Sequence, residues 1–130
     1  MKIKLCLVAL LIVSLALLGH AYQRTRVLQR TLEFQTSSLR SLAASHAHEQ
    51  FSRGTGSYFI LGKVPRDYVD AFAVHFKEYG ITPVATGCKV FEPQHVYAQE
   101  YNRVIRESLI ARHGKDLVQE FDTSWSADRQ

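Results

Sequence analysis

Residues 58–90 read YFILGKVPRDYVDAFAVHFKEYGITPVATGCKV, and their apolar spacing sets the order of the structural elements. The first four residues are apolar and favour β-structure, and Gly62 ends them, which predicts a buried strand. Pro65 suits a first helical turn, and apolar side chains then recur every three or four residues as far as Gly80. The seven residues after Pro83 predict a second strand. Two strands joined by a helix are expected to be parallel, with a right-handed crossover.

Two further helices complete the domain. Between His95 and His113, apolar side chains share one side of a predicted helix and mixed charges share the other. Asp116, followed three residues later by Gln119, is a variant of the capping box and predicts the start of a last short helix. We therefore predict an α/β fold over residues 54–130, in the order β-α-β-α-α, with a two-stranded parallel sheet covered by helices.

The predicted domain is small for a fold without cross-links. Cys88 is the single cysteine that follows the amino-terminal apolar run, so no internal disulfide can form in this part of the chain. A core of about 70 residues without a disulfide or a metal is marginal. A two-stranded sheet also has exposed strand edges. We hypothesise that the domain forms a homodimer across an uncovered strand edge.

The amino end carries the strongest signal of location. Residues 5–18 read LCLVALLIVSLALL, follow Lys2 and Lys4, and contain no acidic side chain. This length matches the apolar core of a signal peptide and falls short of the ~20 residues that a membrane span needs. Gly19 and Ala21 are small residues at the spacing that signal peptidase accepts, which predicts cleavage after Ala21.

A retained membrane anchor is the alternative. Within residues 3–22, Lys4 carries the only charge, and a lysine near the end of a helix can reach the lipid headgroups. The chain is therefore expected in the cell envelope. It would be periplasmic or secreted if residues 1–21 are removed, and a single-pass membrane protein if they stay.

Residues 22–53 predict a helical stalk, because they contain no Pro or Gly and are rich in helix-favouring side chains. Four leucines follow the spacing of a heptad repeat, with Gln35 at the position where the repeat is interrupted: Leu28, Leu32, Leu39 and Leu42. This short stripe leaves a solvated amphipathic stalk and a coiled coil both open. The small polar residues 52–57 then predict a flexible hinge before the domain.

Positive charge gathers beside the apolar run. Residues 22–53 hold five Arg against two Glu, whereas residues 54–130 hold nine Lys and Arg against ten Asp and Glu. We expect Arg24, Arg26 and Arg30 to attract anionic lipid headgroups. The domain itself has almost balanced charge, which excludes a nucleic-acid platform.

Residues with catalytic chemistry are few. Cys88 is the candidate nucleophile, and it would need His75, His95 or His113 within hydrogen-bond reach to form a thiolate. Its predicted place in a strand favours a small buried apolar residue instead.

Other polar pairs have structural explanations. His46 and His48 lie two residues apart, on opposite sides of a predicted helix, where they cannot share a metal ion. Asp67 and Asp70 lie in the first turns of a predicted helix, where negative charge is favourable. The sequence thus predicts no metal site and no cofactor, and it favours a non-catalytic module over an enzyme.

Four short stretches resemble the FEKKY-type domain, a small uncharacterised module that follows signal peptides or anchors in bacterial proteins. They are FKEYGI at 76–81, GC at 87–88, YN at 101–102 and HGKD at 113–116. Two residues rather than three separate Phe76 from Tyr79, and His113 replaces a tyrosine. The resemblance implies a small fold and an envelope location, and it implies no catalytic residues.

The first β-α-β unit also resembles the first half of a SPOR peptidoglycan-binding domain. The shared features are a strand that ends at Leu61 and Gly62, followed by a helix that ends in the aromatic-glycine pair Tyr79 and Gly80. That family continues with further strands, whereas helices are predicted here. We therefore expect an exported or anchored interaction module, with glycan binding and a thiol enzyme using Cys88 as the alternatives.

Overall fold

The computed structural model describes residues 2–87 and 91–129, and it describes side chains from residue 13 onward. The regular elements of these residues are, in chain order, α1 (Lys2–Ser52), β1 (Gly56–Ile60), α2 (Arg66–Phe76), a 3-10 turn (Lys77–Tyr79), β2 (Ile81–Ala85), α3 (Glu92–His113) and α4 (Leu117–Ala127). The two strands are adjacent and parallel. The predicted α/β fold and its β-α-β-α-α order are confirmed.

The chain forms two compact units, Met1–Gln35 and Thr36–Gln130. In the first unit, the side chains of residues 13–35 are all exposed. Among the residues that the structure describes, no helix has the length and apolar character that a membrane span requires. Part of the apolar run at 5–18 lies outside the described side chains, so the signal peptide or anchor stays a prediction.

The second unit begins earlier than the predicted domain boundary at residue 54. The last part of α1, predicted as stalk, belongs to this unit because Ala43, Ala47 and Phe51 are buried in its core. Their spacing of four residues places them on one face of the helix. Small alanine side chains let the helix backbone approach the core closely, and this alanine face is a weaker sequence signal than the leucine stripe.

The predicted hinge at 52–57 is a closed turn. Gly54 N donates to Phe51 O at 3.1 Å and Thr55 N donates to Gln50 O at 3.0 Å, so α1 ends in hydrogen-bonded backbone. Gly56, the next residue but one after Gly54, already belongs to β1. Gly80 lies against this turn with a φ of 69°, and a Cβ at Gly80 would collide with the carbonyl of Gly54. The turn therefore requires glycine at position 80.

The second strand begins at Ile81, three residues before the predicted start. In the register, Phe59 lies opposite Val84, and Thr86 N donates to Ile60 O at 3.1 Å. The backbone N–H groups of successive residues in a strand point to opposite sides. Because the N–H of Thr86 points to β1, the backbone nitrogen of Pro83, which has no hydrogen, points away from β1. Proline is tolerated at such an outer edge. The predicted carboxyl end of this strand, residues 88–90, lies outside the described residues.

The outer edge of β1 is covered by side chains of α3. Asn102 Oδ1 accepts from Phe59 N at 2.8 Å, and Asn102 Nδ2 donates to Phe59 O at 2.7 Å. Ser57 N donates to the hydroxyl of Tyr101 at 3.2 Å. These side chains occupy the positions that a neighbouring strand would fill. A homodimer across a strand edge stays a prediction, and it would have to use the edge of β2 that Pro83 blunts.

Aromatic rings fill one face of the sheet. Tyr58 stacks on Phe72 with ring centres 5.2 Å apart, and Phe72 stacks on Phe76 at 4.2 Å. Phe121 of α4 meets Phe72 edge to face at 5.3 Å. Phe72 and Phe76 are fully buried. Helices α2 and α4 therefore close this face of the sheet into the main core.

Candidate functional site

An apolar pocket of about 420 Å³ lies on the opposite face of the sheet. Its wall is formed by α1, β1, the residue that follows β2, and α3: Leu39, Phe59, Thr86, Pro93, Gln94, Tyr97 and Ala98. The volume falls within the range of ~300–1,000 Å³ that is usual for pockets that bind small ligands or side chains.

The pocket is positioned by the carboxyl ends of both strands. Phe59 is the penultimate residue of β1, and Thr86 directly follows β2. Pro93 lies in the first turn of α3, the element that follows β2 in the described chain. In open α/β sheets, ligands bind outside the carboxyl ends of the strands. The location therefore agrees with the usual place of a binding site in this class of fold.

The polar groups of the wall are mostly occupied within the protein. The hydroxyl of Tyr97 lies 2.8 Å from Nδ1 of His46, and Thr86 Oγ1 donates to Ile60 O at 3.1 Å. Among the lining residues that the structure describes, none has a charged side chain. A group that enters this pocket would lose its hydration without gaining an ionic partner, so the pocket selects apolar groups.

An aromatic cluster packs against the wall residues Phe59 and Tyr97. Phe59 meets Tyr97 edge to face at 6.1 Å and Tyr101 at 5.2 Å between ring centres. Tyr101 also donates to Gln50 Oε1 at 2.5 Å. Burial raises the pKa of the Tyr97 hydroxyl above its usual value. Tyr101 thus ties α1, β1 and α3 together beneath the site.

The bond between His46 and Tyr97 was not predicted. The sequence indicated only that His46 and His48, two positions apart on a predicted helix, cannot share a metal ion. In the structure His46 is half-buried and bonded to α3, while His48 is exposed. The two partners lie 51 positions apart in sequence, and helical spacing within α1 alone cannot indicate such a contact.

Three exposed apolar side chains are neighbours of wall residues in the sequence or in the sheet register. Phe91 is 74% exposed and lies two residues before Pro93 of the wall. Val84 is in register with Phe59, so both side chains lie on the same face of the sheet. Leu42 is also exposed and comes one helical turn after Leu39. Exposed apolar side chains of this kind, when they form a patch, mark interaction sites.

The sequence offered one candidate nucleophile, Cys88. Cys88 lies outside the described residues, so its reactivity stays a prediction. Of its three candidate partners, His95 pairs with Gln99 on the same helix, with 2.7 Å between Nε2 atoms. The ring of His75 lies 5.2 Å from Phe121, and that of His113 lies 5.0 Å from Tyr79. Each histidine thus has a local structural contact.

Asp67 and Asp70, at the start of α2, each form an ion pair. Asp67 pairs with Arg129, and Asp70 lies 3.9 Å from Arg66 one turn earlier on α2. Among the residues with described positions, no three His, Cys, Asp or Glu side chains lie close enough to hold a metal ion.

The first turn of α4 has the electrostatics expected from its capping motif. Asp116 accepts from Gln119 N at 3.1 Å, which confirms the predicted cap. The guanidinium of Arg106 and the backbone N–H of Gln119 hold the pKa of Asp116 below its usual value. This pair connects α3 to α4 and lies away from the pocket wall.

The described wall residues support binding of an apolar group, and none of them has a charged side chain. Comparisons with protein-family models, with curated proteins and with solved structures found no match to this chain.

Proposed function

We propose that the chain is an exported or membrane-anchored protein of the cell envelope whose domain is a non-catalytic interaction module. The observation that carries this proposal is the apolar pocket between α1, β1 and α3, because its polar wall groups are largely bonded inside the protein. A site built for catalysis would hold free acid, base or nucleophilic groups near the reacting atoms. A pocket of this kind holds an apolar group of a partner.

Delivery to the envelope rests on the amino-terminal sequence. The apolar run at 5–18 and the preceding lysines favour export or insertion. The resemblance to the FEKKY-type domain, a prediction from four short stretches, implies the same location. The amino-terminal mass of the mature protein tests this part. A chain that begins at Tyr22 would be periplasmic or secreted, one that begins at Met1 in the membrane fraction would be anchored, and one that begins at Met1 in the cytosol would contradict the proposal.

The interaction surface is tested by site-specific photo-crosslinking in the full chain. A benzoylphenylalanine at Gln94, in the pocket wall, is expected to give adducts that disappear when Ala98→Phe fills the pocket. The same probe at Glu120, an exposed position on α4, is the matched control. Equal adducts at both positions, or adducts at Gln94 that persist in A98F, would contradict binding at the pocket.

Two assays address the alternatives from the sequence. Glycan binding predicts that the chain is retained on purified peptidoglycan sacculi, and a thiol enzyme predicts rapid, saturable alkylation of Cys88 at neutral pH in the folded protein. After β2, the regular elements of the described residues are helices, so the resemblance to a SPOR domain covers only the first β-α-β unit. The proposal of an interaction module expects neither retention nor rapid labelling.

A further inference from the structure

A second groove lies between α2 and α4. The two helices run antiparallel, because Tyr68 meets Trp125 at 5.6 Å and Phe72 meets Phe121 at 5.3 Å between ring centres. The groove has a volume of about 550 Å³. None of its described wall residues belongs to the pocket that Phe59 lines. The groove and the pocket are therefore separate surfaces.

Part of the groove wall is apolar. Ala71 and Val74 of α2 and Phe121 and Trp125 of α4 contribute to it. Each pair is spaced by three or four residues, which places both members on one face of their helix. Val74 exposes 78% of its surface and Trp125 is half-buried. An apolar group of a partner would remove this area from water.

Two carboxylates also line the groove. They belong to Asp70 and Asp128, and none of the lining residues that the structure describes is Lys or Arg. The ion pair of Asp70 with Arg66 is long, at 3.9 Å, and both side chains are largely exposed. Arg129 follows Asp128, but its guanidinium pairs with Asp67. The groove therefore keeps an excess of negative charge.

Helix stability does not explain the carboxylate of Asp128. This residue caps the carboxyl end of α4, and its backbone N–H donates to Ser124 O at 3.1 Å. The carboxyl end of a helix carries partial negative charge, so an acidic side chain is unfavourable there and a cation is favourable. The last turn of α4 contains no basic residue. The helix end and the carboxylate thus act together to attract a cation.

The dimensions of the groove indicate a segment of chain as its occupant. Its wall extends along α4 from Phe121 to Asp128, a rise of about 10 Å, which is two helical turns. Apolar grooves of this type bind amphipathic helices through side chains spaced by three or four residues. Anionic lipid headgroups would be repelled by the two carboxylates, so the charge of the groove disfavours a membrane surface.

We propose that the groove between α2 and α4 binds a basic amphipathic segment of a partner protein. The apolar side chains of the segment lie against Val74 and Trp125, and its Lys or Arg side chains lie beside Asp70 and Asp128. This inference goes beyond the proposed function, since it adds a second docking surface that does not depend on the apolar pocket.

Binding is measured by fluorescence anisotropy with the full chain in dodecyl maltoside micelles. The probe is a labelled helical peptide with leucines on one face and lysines along the borders of that face. The same peptide with glutamates in place of the lysines is the control, and binding to micelles without the chain is subtracted. The lysine peptide is expected to bind saturably and to weaken as salt screens the charges. Equal binding of both peptides, or no binding of the lysine peptide, would overturn the proposal.

Substitution of the two carboxylates tests their role. Asp70→Asn combined with Asp128→Asn is expected to weaken binding of the lysine peptide about three- to tenfold, the loss of two exposed ion pairs. Glu107→Gln combined with Glu120→Gln is the matched control, because both glutamates are exposed and lie outside the groove wall. Equal weakening in the two double variants would show general charge attraction and contradict a site in the groove.

A cation placed in the groove should block it. Val74→Lys changes a largely exposed side chain and is expected to abolish binding of the lysine peptide. Thr123→Lys adds the same charge at an exposed position of α4 outside the groove wall and is expected to bind nearly as wild type. Circular dichroism verifies that both variants stay folded. If V74K binds as well as T123K, the groove is not the binding surface.

Photo-crosslinking in cells separates this inference from the proposed function. A benzoylphenylalanine at Val74 in the full chain is expected to give adducts to a Lys- or Arg-rich protein segment. These adducts should disappear in the D70N/D128N variant and survive in A98F, which fills only the pocket. Adducts to lipid or to an acidic segment would overturn the inference. Adducts at Gln94 that A98F abolishes, with none at Val74, would overturn the second surface and leave the interaction module standing.

Discussion

The two faces of the sheet are packed differently. On the face that carries Tyr58, helices α2 and α4 bury Phe72 and Phe76 in a closed aromatic core. On the face that carries Phe59, helices α1 and α3 leave an apolar pocket of about 420 Å³. The first face is thus filled by buried rings, whereas the second retains an apolar cavity. Substitutions on the two faces should therefore have different consequences.

The largest effect is expected at the closed face. Phe72→Ala removes a fully buried ring that contacts Tyr58, Phe76 and Phe121. Loss of such a ring usually lowers the free energy of unfolding by about 3–5 kcal/mol. This is a large part of the total stability of a small domain. Urea unfolding measures this change, with Val74→Ala on the exposed side of α2 as the control. A loss in F72A as small as that in V74A would show that the closed face is not the main core.

A smaller effect is expected at the covered strand edge. Asn102→Leu leaves the backbone N–H and C=O of Phe59 without their side-chain partners. An unpaired, partly buried backbone group costs about 1–3 kcal/mol. Thermal unfolding of N102L measures this loss, and Gln99→Leu on the same helix is the control. If N102L is as stable as wild type, the Asn102 bonds do not hold the edge of β1.

On the open face, removal of one hydrogen bond should cost less. Tyr97→Phe keeps the aromatic wall of the pocket and deletes the bond to His46. A single bond between half-exposed side chains is worth about 1 kcal/mol. Thermal unfolding should therefore shift slightly for Y97F and not at all for Tyr22→Phe, an exposed tyrosine in the first unit. A large loss in Y97F would mean that the open face carries stability like the closed one.

The smallest effect depends on pH. Arg106 lowers the pKa of Asp116 in the folded state, so the pair stabilises the fold above the unfolded value of 3.8 and loses this contribution as the pH falls through the folded pKa. Asp116→Asn keeps a cap for α4 but loses the charge. The difference in melting temperature between wild type and D116N should thus shrink below about pH 4. A difference that stays constant down to pH 2 would contradict this role of the pair.

Local signals predicted the elements of the closed face well. The apolar spacing around Phe72 and Phe76, the glycine at position 80 and the cap at Asp116 each describe an interaction within a few residues. Such patterns appear in the sequence because the periodicity of a helix sets them directly. The predicted α2, the end of α3 at His113 and the cap of α4 therefore agree with the structure.

The open face depends on contacts that no local pattern reveals. Leu39, Phe59 and Tyr97 meet from three elements that are far apart in the chain, and His46 reaches Tyr97 across 51 positions. The alanines at positions 43 and 47 were predicted as part of a stalk, since small residues give a weak apolar signal. Both alanines are buried in the second compact unit, which therefore begins at Thr36 and not at the predicted residue 54.

By itself, the sequence determined the fold class, the order of the elements and the parallel direction of the two strands, because helical and strand periodicities and the handedness of β-α-β units are local or general rules. The tertiary structure alone decided which sheet face is closed, how α3 covers the edge of β1 and where a pocket stays open. These features depend on how side chains from distant elements pack and bond with one another, and such contacts exist only once the chain has folded.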